Sequence, residues 1–469
     1  MRFVLGLLLV GVLSAAEVVK EADAKALTAH VSFLASDALE GRETPSKGLD
    51  IAAEYIASEF RRAGLEPMSD GTYFQTAKLL VKRVVREGFS LTFTDGEKSI
   101  SVPAETSFWV ARPALSLQGA AVRKISVESL EKLTEPVAEP VVLLTAATPG
   151  PGVQRSLTRL AKDGVKLVVL VGMPVPMPAQ TLEFADEPPS STLYFRTTDK
   201  AADEWLKGLA EGVTTAKANA NVAAATIEEH GAKNVIGMIP GTNRDEVLIL
   251  SAHYDHLGLT RDASDKVFNG ANDNASGVAS ILEAAQLIKG LGVTPKRTLV
   301  FMAFFGEERG LLGSRYFTRH PVWPLKNIQA NLNLEQTGRT DAVDGAANVN
   351  MANLTGYHFT TIHKYMEEAG KETGLNIVKH ERFSDPFFSG SDNFAFALVG
   401  VPSTTLSVTY QFPDYHKKED EWPKIDFANH AKVTRAIAQG FWRMATSEEK
   451  VTWNEAEPKT EAFRKAIRP

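Results

Sequence analysis

Two adjacent carboxylates, Glu307 and Glu308, follow Gly306 at the end of an apolar run from Thr298 to Phe305. The run has the length and composition of a buried strand. A core strand that stops at a glycine and presents acids at its carboxyl end puts them where open α/β sheets hold their ligands. Neighbouring residues on extended chain point to opposite sides, so one acid can bind a metal while the other handles a proton. Taken alone, GEER is an ordinary solvated turn, because Glu is mostly exposed.

Four further segments bear on that choice. His253-Tyr254-Asp255-His256 ends the strand-like stretch EVLILSA. Period-two alternation sets His253 and Asp255 on one face, and a metal-bound imidazole usually has a carboxylate on its other nitrogen. Asp273 sits in the loop NGANDNASG, which runs straight into a helical pattern. An ordinary N-cap loop uses the same residue types. Glu335 ends ANLNLE, and Tyr415-His416 lie in the loop PDYHKKEDEWPKID after the strand-like VPSTTLSV. The remaining histidines, among them His30, His230 and His430, read as exposed.

Together these segments offer two imidazoles and three or four carboxylates, each following a separate predicted strand. Such a set can hold a pair of divalent ions with nitrogen and oxygen ligands, one carboxylate bridging. Zinc is the metal most often held this way for hydrolysis. A two-metal centre lowers the pKa of water and clamps both nucleophile and developing oxyanion. One acid is left over to move the proton, a division that Glu307-Glu308 permits.

The elements that must carry these residues follow from periodicity. Leu49, Ala52, Ala53, Ile56, Phe60 and Ala63 recur at helical spacing before Gly64. From Lys233 onward, strand patterns (NVIGMIPG, EVLILSAHYD, RTLVFMAFF, 328–334, VPSTTLSVT) alternate with helical ones (277–289, 357–373, 427–446). Alternation of this kind predicts an α/β fold with a mixed, mostly parallel sheet sandwiched by helices. Residues 104–221 have a different texture: short strands, Pro/Gly loops and a single helix at SLTRLAKDG. They read as an inserted smaller β-rich α/β domain. The expected organisation is a signal peptide at 1–16 and a discontinuous catalytic domain at 17–103 and 222–446. The insert at 104–221 and a charged tail at 447–469 complete it.

Met1–Ala16 has a minimal basic start at Arg2, an apolar stretch Phe3–Leu13 and a small-residue cleavage site. It is too short to span a membrane once export is complete. The expected location is therefore periplasmic or secreted, without stable membrane insertion. The chain has no cysteine, which excludes thiol catalysis and thiolate metal sites and suits a bacterial export route. Its 469 residues exceed one ordinary core. The net charge of −6 gives no reason to expect nucleic acid as a partner, and the sequence is silent on oligomeric state.

Five segments in this order, SAHYDHLG, NGANDNASG, FFGEERGLLGS, NLNLEQTGR and DYHKKEDEWPKID, resemble the co-catalytic di-zinc aminopeptidases related to aminopeptidase Y, glutamate carboxypeptidase and the transferrin receptor. The head, LASDALEGR through AAEYIASEFRRAGLEP, is similar too. Residues 104–221 fall where many members carry a protease-associated domain. The resemblance implies two Zn2+ per chain, one on His253, Asp273 and Glu335, the other on Asp273, Glu308 and His416. It further implies that Asp255 orients His253, that Glu307 is the general base and that Tyr415 donates to the oxyanion. Two positions depart from the pattern: Glu335 stands where Asp is usual, and Asn393, in FSDPFFSGSDNFAFALVGVPS, where His is common.

The expected function is an exported zinc aminopeptidase that removes N-terminal residues from peptides by attack of a metal-bridging water. The enzymatic rivals on this scaffold are a glutaminyl-peptide cyclase and a carboxypeptidase of the glutamate type. The rival from another class is a receptor-like binding protein that has lost its metals.

Overall fold

Arg297–Phe304 is buried at all eight positions, so neither face of this strand sees water. Val300, Met302 and Phe304 enter a cluster with Val247, Ile249, Phe317 and Phe396. Alternate residues face the other way, where the Phe301 ring meets Phe441 edge to face at 5.7 Å. A strand apolar on both sides needs helices on both sides. The structure, a computed structural model, describes residues 18–466 apart from 111–112, 148–150, 174–179, 189–190 and 261–264. The signal-peptide expectation at 1–16 lies outside the described residues.

The chain divides into two compact units. One comprises the described residues up to Ala77 with those from Ala232 on; the other is Lys78–Gly231. In the first, strands lie in the order Asn376–Val378, Met351–Leu354, Ser403–Ser407, Ile328–Glu335, Asn243–His253, Arg297–Phe304, and then the part of Thr226–Ile239 from Ala232 on. The four from Ser403–Ser407 to Arg297–Phe304 are mutually parallel. Thr226–Ile239 runs antiparallel to Arg297–Phe304, and Met351–Leu354 runs antiparallel to Ser403–Ser407 but parallel to Asn376–Val378. The mixed, mostly parallel sheet expected from the alternating patterns is the one found.

Local signals explain the helices that cover it. Ser46 caps Lys47–Arg62 by accepting from the Leu49 amide at 3.1 Å, and Gly64 leaves the helix with φ 73°. Asp426 caps Phe427–Thr446 in the same way. The helix expected over 357–373 begins only at Ile362, because Gly356 (φ 51°) and a turn to Phe359 occupy the first positions. The first helix is Ala24–Leu34, capped by Asp23.

Two domain boundaries differ from expectation. The second unit begins near Lys78, not 104, and ends near Gly231, not 221. The strand Ser90–Asp95 pairs antiparallel with Gly212–Val222, setting Phe93 against Ala218. Leu91 and Phe93 enter that unit's core with Val141, Leu143 and Phe195. Burial of this apolar face is what commits residues 78–103 to the second unit. The segment after 446 is likewise no loose tail. Val451 and Trp453 are buried, the indole donates to Gly400 O at 2.9 Å, and Phe463 stacks on it at 5.3 Å.

Candidate metal centre

All four parallel strands deliver residues to one carboxyl edge. His253 ends Asn243–His253; Glu307 and Glu308 follow Phe304 and the left-handed turn at Gly306 (φ 68°); Glu335 ends Ile328–Glu335; Tyr415 and His416 follow Ser403–Ser407. Asp273 enters from the loop before Ser276–Lys289. The structure brings every sequence-predicted metal ligand together. His253 Nε2 lies 3.3 Å from Asp273 Oδ1 and 3.3 Å from Glu335 Oε1. His416 Nε2 lies 3.2 Å from Asp273 Oδ2 and 3.3 Å from Glu308 Oε2. Asp273 thus faces both imidazoles, one with each oxygen.

The donor set fits a pair of cations. Asp273, Glu308 and Glu335 crowd together with almost no solvent, and among the described residues Asp273 Oδ2 has no hydrogen-bond partner despite its approach to His416. His253, Asp273 and Glu335 form one group whose ligand atoms lie within 4.8 Å of one another; His256, Asp273 and Glu308 form a second. Sharing of one carboxylate between two such groups is the arrangement of a bridged two-metal site.

Asp255 faces His253 with two of its oxygens. The nearer partner of His253 Nδ1 is the Asp255 backbone carbonyl at 3.1 Å, with the carboxylate Oδ1 at 3.5 Å. That same Oδ1 accepts from the Glu307 amide at 3.0 Å. Asp255 therefore ties His253 to the turn that carries Glu307. Tyr415 lines the cavity and stacks on His416, ring centroids 3.9 Å apart. The cavity is about 250 Å³ and continues from Glu307, Glu308 and Glu335 to Phe387, Ser391, Thr405 and Tyr410. Asn393 does not reach it. Its amide is buried, donating to Phe388 O and accepting from Thr405 Oγ1.

Several residues that carry the geometry are not visible as such in sequence. His256 stays among the ordinary histidines there, yet it is fully buried and its Nδ1 donates to Glu308 Oε1 at 2.9 Å. The position beside His253-x-Asp255 is its one sequence signal. Asp420, four residues past His416, accepts from the amides of Asn272 and Asp273 at 3.0 Å each. One loop thus carries the candidate ligand His416 and pins the loop that carries Asp273. Arg42 is buried among backbone carbonyls, donating to Tyr254 O (2.8 Å), Asn269 O (2.8 Å), Gly270 O (3.1 Å) and Leu34 O. It fastens the His253 and Asp273 loops to the first helix. Arg42→Met strands these acceptors and is expected to cost about 3 kcal/mol. A lower urea midpoint for the metal-free variant would show it.

Charge placement sets the proton inventory. Burial alone would lower His253, but Glu335, Asp255 and Asp273 outweigh it and hold the imidazole well above its ordinary range. Burial likewise opposes His416, yet Asp273 and Glu308 push it up to about 10. Burial would raise Glu308, but His256 and His416 bring it down to about 2. Glu307 is pushed well above the usual carboxylate range by burial, with Glu335, Asp392 and Glu308 adding repulsion against the pull of His253. Both imidazoles hold a proton more tightly than usual without metal, and ligation needs them neutral. Zinc binding should therefore release protons. Its affinity should rise about tenfold per pH unit for each proton released, between about pH 6 and 8. Zinc titrations in buffers of different ionisation enthalpy measure this; a pH-independent affinity would mean the imidazoles are neutral beforehand.

Residues 234–440 match peptidase family M28. Among sequence relatives, aminopeptidase YwaD of Bacillus subtilis (strain 168) is 31% identical over 196 residues, 40% of this chain and 39% of that protein. Leupeptin-inactivating enzyme 1 of Streptomyces exfoliatus is 32% identical over 142 residues, 30% of each chain. The chain thus spans well under two thirds of the length of these relatives. Two solved structures share the fold. An aminopeptidase from Aneurinibacillus sp. strain AM-1 has a TM-score of 0.59 at 18% identity, covering 92% of this chain and 95% of that one. BSAP, a zinc aminopeptidase from Bacillus subtilis, has a TM-score of 0.52 at 17% identity, covering 91% and 97%.

Proposed function

We propose that this chain, whose residues 234–440 carry the peptidase family M28 match, is a di-zinc aminopeptidase that hydrolyses N-terminal residues from peptides. The observation that carries the proposal is Asp273, buried and facing His253 with one oxygen and His416 with the other, beside Glu335 and Glu308. His253, Asp273 and Glu335 would hold one ion; Asp273, Glu308 and His416 the other. The ions would supply Lewis acidity and a water of lowered pKa.

The chain's own groups do the rest. Glu307 lines the cavity beside these ligands and is not needed as one. Its raised proton affinity suits a general base that takes the attacking water's proton and returns it to the leaving amine. Asp255 holds the Glu307 amide, which fixes the turn from which the base works. Tyr415 donates its hydroxyl proton to the oxyanion of the tetrahedral intermediate. Residues 104–221, within the second compact unit, would be a protease-associated-like domain. The pattern of residues 1–16 supports export, and among the described residues no helix is long and apolar enough to cross a membrane.

Peptides with free, acetylated or amidated ends test the reading. Release of the first residue from free and C-amidated peptides, with none from N-acetylated ones, is expected. Release from the carboxyl end would favour a carboxypeptidase. Ammonia release from N-terminal glutamine without peptide cleavage would favour a cyclase.

A further inference from the structure

Beneath Glu335 a file of buried polar side chains crosses the sheet from its interior to the metal centre. Asn331, Asn333 and Glu335 alternate along one strand, so they share a face. All sit in a region that otherwise buries apolar residues, where a polar group without a partner is costly. Their hydrogen bonds form one directed chain. Asn331 Nδ2 donates to Ser251 Oγ (2.7 Å), and Ser251 Oγ donates to Asn333 Oδ1 (2.9 Å). Asn333 Nδ2 then donates to Ser391 Oγ (2.8 Å), and Ser391 Oγ to Glu335 Oε1 (2.6 Å).

The direction is forced. An amide nitrogen only donates, so Ser251 must spend its proton on Asn333 Oδ1. That fixes the Asn333 amide with its nitrogen toward Ser391. Thr405 confirms the orientation: it gives its own proton to Asn393 Oδ1 (2.7 Å) and accepts from Asn333 Nδ2 (3.2 Å). Ser391 already accepts from Asn333, so its proton goes to Glu335. A hydroxyl donating to a carboxylate at this distance is a strong, charge-assisted bond. Glu335 has three side-chain torsions to fix, and Oε1 is the oxygen that faces His253 Nε2.

We propose that Ser391, aligned by Asn333, is a positioning residue that locks the Glu335 carboxylate for the His253–Asp273–Glu335 subsite and thereby sets that subsite's metal affinity separately from the other. This rests on the two-metal reading above. Ser391 touches neither His416 nor Glu308 in the hydrogen-bond network, so its effect is confined to one ion.

The test is competition of the metal-free protein with a chromophoric zinc chelator, for wild type, Ser391→Ala and Ser391→Thr. In Ser391→Ala one zinc equivalent should weaken by about 10–100-fold, the cost typical of losing a ligand's supporting hydrogen bond, while the other stays within about threefold. Ser391→Thr keeps the hydroxyl and should restore the weakened equivalent, which a purely packing role would not do. Two equivalents of wild-type affinity in Ser391→Ala, equal weakening of both, or a Thr variant as weak as Ala would overturn the role. Should Ser391→Ala not fold, Ser391→Cys, with a poorer donor of similar size, should show the same one-sided loss. Wild-type protein that takes up no zinc would instead overturn the metal-centre reading itself.

Discussion

Glu307→Gln is expected to lower kcat for N-terminal hydrolysis by about 10³-fold, within the range of about 10²–10⁴ for loss of a general base. That is about 4 kcal/mol of barrier. KM and zinc content should change little, because Glu307 belongs to neither group of candidate ligands. The amide retains shape and hydrogen bonding but cannot accept a proton. The variant should also lose the limb of the pH–rate profile that reports ionisation of this carboxyl. Steady-state kinetics on both proteins, with zinc measured on the same samples, provides the check. A variant that loses zinc along with activity would make Glu307 a ligand or a structural acid.

Asp273→Ala should have the larger effect on metal. Asp273 alone belongs to both ligand groups, so its removal is expected to empty both subsites, whereas Glu335→Ala should weaken mainly one. Loss of both ions removes their linkage to folding as well. At free zinc 100 times Kd, each site contributes about 2.7 kcal/mol to stability. Wild-type protein should therefore gain thermal stability on zinc addition, and Asp273→Ala should gain none. An Asp273→Ala protein that keeps one tightly bound zinc would show that the aspartate does not bridge.

The parts of the fold legible in sequence are those set by local pattern. Arg297–Phe304 is apolar throughout because helices cover both its faces, and 427–446 keeps a helical stripe that ends at Thr446 as read. His253, Glu308 and Glu335 were legible because they end or closely follow a parallel strand, and such a sheet brings those ends to one edge. What escaped depends on pairing between distant segments. Ser90–Asp95 alternates like any amphipathic strand, and only its partner Gly212–Val222 assigns it to the second unit. Short strands such as Asn376–Val378 carry too few residues to show a period. Trp453 lies in a polar stretch whose anchoring to Gly400 has no sequence signature.

Supporting residues were hidden for a related reason. His256 lies within the segment that offers His253, but its role comes from Glu308, fifty-two positions on. Arg42 and Asp420 act on backbone groups, which every residue possesses, so nothing in the partner sequences marks them. Ser391 and Asn333 are common polar residues, distinguished only by burial and by the direction of their hydrogen bonds.

The most direct test is a stoichiometric zinc titration of metal-free protein, reading bound zinc and release of an unblocked N-terminal residue in the same samples. The two-metal account predicts uptake of two equivalents per chain, with full activity reached only as both bind. Two equivalents bound without peptide hydrolysis, or full activity reached with a single equivalent and no further uptake, would contradict it.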